Sequence, residues 1–261
     1  MFNQEERCIF ENNQLLEVIC QLRFPDILKI EVNEPAEFQE AIRAEYPQYQ
    51  KQAEQLPPRM ENGRPIPQGT VNNYRFISAD GGWKISLMKN FIALSTNRYE
   101  CWEEFAKRLD RVLAAFIPTY APAYFTRIGL RYINAFNRTA LGVEEMSWRE
   151  LIEPGYLGLM ADDDVSERAF MKNEQQSTLS MPGGTSANIK CGPGRIRKLD
   201  KRTGKAEEAS VFLLDIDQFM EGNTPINLIT AGLNTVHMNA GSIFRGAITD
   251  RLYDAMGPRQ N

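Results

Sequence analysis

EVICQLRF, residues 17–24, is a strict alternation. Val18, Cys20, Leu22 and Phe24 fall on one side, and Glu17, Ile19, Gln21 and Arg23 on the other. A period of two marks a half-buried strand. Pro25 closes it, because proline cannot donate to a sheet ladder. A similar run, RIGLRYINAF (residues 127–136), opens the second half of the chain and puts Ile128, Leu130, Tyr132 and Asn134 on one face. Behind each run the same order of elements is legible: a short helix, a group of strands, then a long amphipathic helix.

In the first half, Glu34–Tyr46 reads as the short helix. Pro35 stands in the first turn, where a missing N–H is harmless, and Phe38, Ile42 and Tyr46 recur at i, i+4, i+8. Residues 47–72, rich in Pro and Gln, read as a loop. Three strands are expected at Tyr74–Ser78, Trp83–Met88 and Phe91–Thr96, joined by Asp80-Gly81-Gly82 and by Lys89-Asn90 as short hairpin turns. Glu100–Phe116 then carries the strongest helical signal, with Trp102, Phe105, Leu109, Val112, Leu113 and Phe116 forming a broad apolar face. Pro118 and Pro122 punctuate its end.

In the second half, Ser147 with Glu150 three residues later predicts a capped helix over Trp148–Ile152. An acidic loop follows, containing Asp162-Asp163-Asp164. Strands are expected near Ser177–Met181, Asn188–Cys191, Arg195–Leu199 and Val211–Phe219, with a turn at Gly192-Pro193-Gly194. The last helix spans about Pro225–Met256, with an apolar stripe running from Leu228 through Leu233, Val236, Ala240 and Ile243 to Ala255, and Gly222, Gly232, Gly241 and Gly246 weaken it by roughly 1 kcal/mol each relative to alanine. The pattern therefore predicts an α+β fold: a duplicated strand–helix–(three or four strands)–helix unit, with a largely antiparallel sheet covered by helices on one face. The expected repeats are residues 1–120 and 121–261, packed as one compact unit.

Bulk properties narrow the chemistry. The chain has 261 residues, 43% hydrophobic and 25% charged, with a net charge of −4. That is ordinary for a globular protein and gives no overall electrostatic case for nucleic acid. The N-terminus lacks the pattern of a signal peptide, and no run is apolar enough for a membrane span, so a cytoplasmic protein is expected. Four scattered cysteines without a CxxC read as small hydrophobes. A single histidine, His237, excludes multi-histidine metal sites and the HExxH motif. It reads as a structural residue of the last helix.

Three constellations could carry function. Arg23 and Arg131 occupy comparable positions on the two opening strands and, with Tyr132, could grip an anionic ligand or acidic peptide. Arg195, Arg197, Lys198, Lys201, Arg202 and Lys205 form the densest basic cluster, on a hairpin able to meet phosphates. The glycines around it do not have P-loop spacing. Asp215 and Asp217 share one face of a strand and could hold Mg²⁺ or Mn²⁺ through hard oxygen ligands. The favoured reading of the same pair is the polar outer side of a half-buried strand, with Phe212, Leu214 and Ile216 inward.

The opening motif Leu16-Glu17-Val18…Gln21-Leu22-Arg23-Phe24-Pro25 resembles the start of an uncharacterised, sporadically distributed bacterial family of similar length. Gly129, Arg131, Tyr132 and Asn134 resemble that family's middle motif. Leu233, His237, Phe244, Ile248, Thr249, Asp250 and Met256 resemble its closing one. The resemblance implies no established activity, cofactor or catalytic residue. The patchy distribution implies mobile cargo such as toxin–antitoxin or phage-defence systems. The leading expectation is a non-enzymatic binding protein, without cofactor, that recognises a partner protein encoded nearby or an anionic ligand. The alternative is a metal-dependent enzyme on nucleotides or nucleic acid using Asp215 and Asp217.

Overall fold

A computed structural model describes residues 8–55, 58–61, 63–67, 69–199 and 206–260. The strands are β1 (Cys8–Phe10), β2 (Leu15–Arg23), β3 (Gln48–Gln55), β4 (Arg59–Glu61), β5 (Arg64–Ile66), β6 (Thr70–Ile77), β7 (Trp83–Met88), β8 (Phe91–Thr96), β9 (Phe125–Phe136), β10 (Gln175–Met181), β11 (Thr185–Leu199), β12 (Ala206–Thr224) and β13 (Pro258–Gln260). The helices are α1 (Leu28–Val32), α2 (Ala36–Ile42), α3 (Trp102–Tyr120), α4 (Trp148–Leu151), α5 (Ile229–Ala247) and α6 (Asp250–Ala255), with short 3₁₀ turns between some of them. The fold is α+β, and nine strands form a large antiparallel sheet in the order β10-β11-β12-β9-β2-β8-β7-β6-β3.

The chain divides into two compact units; three of the four boundaries cut a strand, in β2, β9 and β12, and the fourth cuts α5 near its start. One unit holds Ile19–Ile128 and Glu221–Thr230; the other holds Gly129–Met220, Ala231 onward, and the described residues up to Val18. The N-terminal segment joins the second unit because β1 pairs antiparallel with β13, Ile9 facing Arg259. Phe10 then packs against Phe244 and Tyr253, with ring centroids 5.8 and 5.4 Å apart.

In the Ile19–Ile128 unit, α2 and α3 lie on the apolar face of the strands. Phe38 meets Phe76 and Phe116, Phe24 meets Phe116, and Trp83 meets Phe105. The six residues of the α3 stripe are all buried, as their spacing predicts. The helix nevertheless runs past Pro118 to Tyr120. Proline in a last turn removes only one late hydrogen bond, and Ala121, in the left-handed region at φ 44°, ends the helix by donating to Ile117 O. Residues 47–72 are not simply a loop: they contain β3 and the β4–β5 hairpin. The polar sequence of β3 hides it because its side chains are almost all exposed. Its register is held by Tyr49 stacked near Tyr74 and by Lys51 over the Tyr74 ring, 5.6 Å from its centroid.

In the other unit, Ala187, Ile189 and Cys191 of β11 and Phe212, Leu214 and Ile216 of β12 share one core with Ala240, Ile243 and Ala247 of α5. The α4 capping box forms as the sequence predicts, Ser147 N donating to Glu150 Oε2 at 2.9 Å. The single long terminal helix is instead broken. α5 starts at Ile229, ends at Ala247, and Thr249 caps α6 by accepting from Leu252 N. Its glycines stay helical; the break comes where the Thr249 hydroxyl also donates to Glu150 O at 2.7 Å. Leu228, expected on the apolar stripe, lies before the helix and is exposed.

The largest departure concerns Gly192-Pro193-Gly194. It is no turn but the middle of one continuous β11, with Gly192 facing Leu213, Pro193 facing Phe212 and Gly194 facing Val211. Pro193 is tolerated because pairing with β10 already stops at Cys191, opposite Gln175. Gly192 has φ +152°, and a Cβ there would sit 2.1 Å from the carbonyl oxygen of Asn173. The chain crosses its own backbone where only glycine fits. Gly192→Ala is expected to lower stability by about 2–4 kcal/mol, as overpacking against backbone does. Denaturant unfolding measures it, and a loss below about 0.5 kcal/mol, the range of ordinary surface substitutions, would contradict the crossing.

Burial also sets an alkaline limit. Desolvation lifts the Cys20 thiol from 9.0 to about 12, against the pull of Arg127. It lifts Cys191 to about 11, and Tyr120 and Tyr156 from 10.0 to about 12 each. These groups stay neutral when folded but ionise first when unfolded. Their contribution is therefore complete below pH 9 and is lost as pH rises towards 12. The melting temperature should decline progressively above pH 9, and a flat profile between pH 9 and 11 would refute this reading.

Candidate functional site

The second unit presents two chemically different faces of the same strands. β9 alternates through Arg131 and Tyr132, so the two neighbours point to opposite sides. Tyr132 packs against the core cluster, and its hydroxyl shares a 2.8 Å hydrogen bond with His237 Nδ1 of α5. Asn134, buried beside it, donates to Leu214 O at 3.2 Å. His237 thus joins helix to strand from the inner side. Sequence reasoning placed it in the helix but missed its tyrosine partner, which lies 105 positions away in sequence.

Arg131 points the other way. Its Nε donates to Asp215 Oδ1 at 2.7 Å and its Nη2 to Oδ2 at 2.6 Å, a two-pronged pair between β9 and β12. The hydrogen bonds to Asp215 raise the arginine's pKa, with desolvation opposing and the charges of Asp215, Asp217 and Glu17 adding. Asp217 stands on the same side of β12. Across β11, Lys190 faces Asp215 and Asn188 faces Asp217. On β10, Thr178 faces Asn188, and its hydroxyl donates to Asn188 Oδ1 at 2.8 Å. The result is a polar face across four strands, with Arg131, Asp215 and Lys190 alternating in charge and side-chain hydrogen bonds joining β9 to β12 and β10 to β11, opposite the face that packs on α5.

This geometry redistributes the residues singled out from sequence. Arg131 and Asp215 belonged to separate hypotheses; here they form one ion pair. Tyr132 does not share a face with Arg131, for the alternation stated above. Arg23 lies in the other unit, exposed, and its Nε donates to Gln21 Oε1 at 2.8 Å. Both carboxylate oxygens of Asp215 are engaged by arginine. Among the described residues no group of three or more His, Cys, Asp or Glu is placed to hold a metal ion. Of the loop acids, Asp163 pairs with Arg149 at 3.2 Å and Asp162 accepts from Asp164 N at 3.0 Å.

In the basic cluster, Arg195 and Arg197 are exposed on β11 and face Ser210 and Glu208. Arg195 reaches Glu208 of β12 at 3.5 Å, an ion pair between two exposed side chains. Lys198 faces Glu207 in the backbone register. Lys201, Arg202 and Lys205 lie outside the described residues.

One polar cluster escaped sequence reasoning. In the Ile19–Ile128 unit, Glu54 Oε1 of β3 accepts from Asn73 Nδ2 at 2.6 Å and from Arg75 Nη2 at 2.9 Å, both on β6. Asn73 Oδ1 and Arg75 Nε are buried with no partner. The signal was masked because residues 47–72 carry no apolar alternation, so nothing announced that Glu54 would stand beside β6.

No family model matches the chain, and no curated protein matches it. No helix among the described residues is long and apolar enough to cross a membrane.

Removing one member of the Arg131–Asp215 pair leaves the other charge uncompensated on a half-covered face. The arginine side chain is 43% exposed and the aspartate 16%, so solvent recovers part of the loss. Asp215→Ala is expected to cost about 1–2 kcal/mol, below the 3–5 typical of a fully buried pair. Arg131→Ala/Asp215→Ala together should cost less than the sum of the two single changes. Additive losses in this double-mutant cycle would show that the pair carries no coupling.

Proposed function

We propose that the protein is a non-enzymatic binding scaffold built from a repeated α+β unit, and that it recognises a partner protein through the polar face centred on Arg131 and Asp215. The element order supports the repeat. β2 is followed by short helices, then β3, the small β4–β5 hairpin, β6, β7 and β8, then a 19-residue α3. β9 is followed by α4, then β10, β11 and β12, then a 19-residue α5. In each case the opening strand lies next to the last strand of its group, β2 by β8 and β9 by β12. In both groups the long helix packs its apolar stripe on the strands.

The single observation that carries the binding reading is the two-pronged Arg131–Asp215 pair on a strand face that is not packed by α5. A lone arginine on such a face would select anions. An arginine already neutralised by aspartate, flanked by Lys190, Asp217 and Asn188, presents both signs in fixed order. That suits recognition of a protein surface with alternating charge and disfavours a phosphate-rich polymer. We place this partner in a bacterial regulatory or defence setting, on the strength of the family resemblance in the strand motifs.

Affinity capture with the wild-type chain, compared with Lys190→Glu and Arg131→Gln, tests the reading. The exposed Lys190 can be reversed without disturbing the core, so its effect reports on recognition. Both variants should lose the captured partner by at least about tenfold, while keeping the wild-type circular dichroism. Capture that persists unchanged in both would remove the polar face from the interface.

A further inference from the structure

Among the described residues β10 is one edge of the nine-stranded sheet, and its only neighbour in the strand order is β11. Proteins guard such edges with charged residues, proline, bulges or a covering segment, because an unpaired strand is a template for another chain. The opposite edge, β3, follows that rule: it carries Lys51 and Glu54. β10 reads Gln-Gln-Ser-Thr-Leu-Ser-Met, with no charge and no proline, and Gln176, Ser177, Thr178 and Ser180 are exposed.

The strand is also held firmly at both ends. At its start, Asn173 Nδ2 donates to Leu157 O at 2.8 Å, and the Asn173 carbonyl is wedged against Gly192. At its end, the Pro182–Gly184 turn is tied down through Thr185. The Thr185 hydroxyl accepts from Gln218 Nε2 at 2.7 Å and Asn239 Nδ2 at 2.8 Å, and donates to Pro182 O at 3.1 Å. An edge fixed at both ends loses little conformational freedom when it pairs.

We propose that β10 is a self-association edge, on which a second copy of this chain adds its own β10 antiparallel about a twofold axis through Thr178. Closed twofold pairing is the commonest symmetry of protein assemblies and requires a surface complementary to itself. β10 meets that requirement. With Thr178 opposite itself, Gln176 faces Ser180 of the second copy twice, and Ser177 faces Leu179 twice. The first set stands on the polar face and consists of hydrogen-bonding pairs without like charges. The flanks agree. Lys172 and Glu174, already paired at 2.9 Å, fall beside the uncharged Pro182–Gly184 turn of the other copy. A foreign peptide finds fewer handles on this strand, since Ser and Thr side chains provide no pocket for selecting its residues.

Sedimentation velocity over a concentration series decides the matter, using wild type, Thr178→Lys, and the double variant Gln176→Glu/Ser180→Lys. Thr178→Lys sets two ammonium groups face to face across the axis at an exposed position, whereas the double variant sets Glu opposite Lys. Wild type should dimerise reversibly, with amide exchange at residues 176–180 slowing as dimer forms. Thr178→Lys should weaken dimerisation several-fold, and the double variant should retain it. A wild type that stays monomeric throughout overturns the proposal. So does a dimer whose strength Thr178→Lys leaves unchanged.

Discussion

Each 19-residue helix of this protein must bury an apolar stripe, and the strands offer it only one face. That constraint governs the rest of the structure. In the second unit, Ala240, Ile243 and Ala247 are completed by Ile189, Phe212, Leu214 and Ile216. In the first, Phe105 and Phe116 are completed by Trp83, Phe24 and Phe38. Burying a side chain of this size contributes about 1.5–3 kcal/mol. A one-residue slip in any strand would turn its apolar set away from the helix. Register is therefore fixed by the helix, and the polar face acquires its order as a consequence. Asp215 and Asp217 face outward because Leu214 and Ile216 cannot.

The same logic sets the order of the polar face. Once register is fixed, Arg131 of β9 is brought within 2.7 Å of Asp215, and Lys190 and Asn188 fall opposite the two aspartates. The ion pair ties together strands that are 84 positions apart in sequence. The face is ordered and balanced in charge, Arg131 and Lys190 standing against Asp215 and Asp217. Tyr132 and His237 serve the inner side, joining α5 to β9 where the core is polar.

Much of this was legible in the chain. The alternation of Val18, Cys20, Leu22 and Phe24, the stripe from Trp102 to Phe116, and the Ser147–Glu150 cap are local signals, and all of them form. The failures share one cause. β3 lacks an apolar period because an edge strand with exposed side chains has little to bury, so Glu54 never appeared beside Asn73 and Arg75. Gly192-Pro193-Gly194 has the chemistry of a turn, yet the chain runs straight through. The approach of Asn173, a long-range event, is what demands the glycine. The glycines of α5 signal a weak helix, but the break falls at Thr249, whose hydroxyl finds Glu150 99 positions away.

The sequence by itself determined the α+β class, the positions of most strands and helices, and which residues each would bury. These follow from periods of 2 and 3.6, properties of a few neighbouring residues. Only the tertiary structure decided who meets whom. It joined Arg131 to Asp215, set Tyr132 against His237, gathered the N-terminal strand to β13, and left β10 as an uncharged edge. The physical reason is that side-chain pairing across strands depends on strand order and register. Those are set by packing the long helices, and packing is collective: no local window of residues contains it.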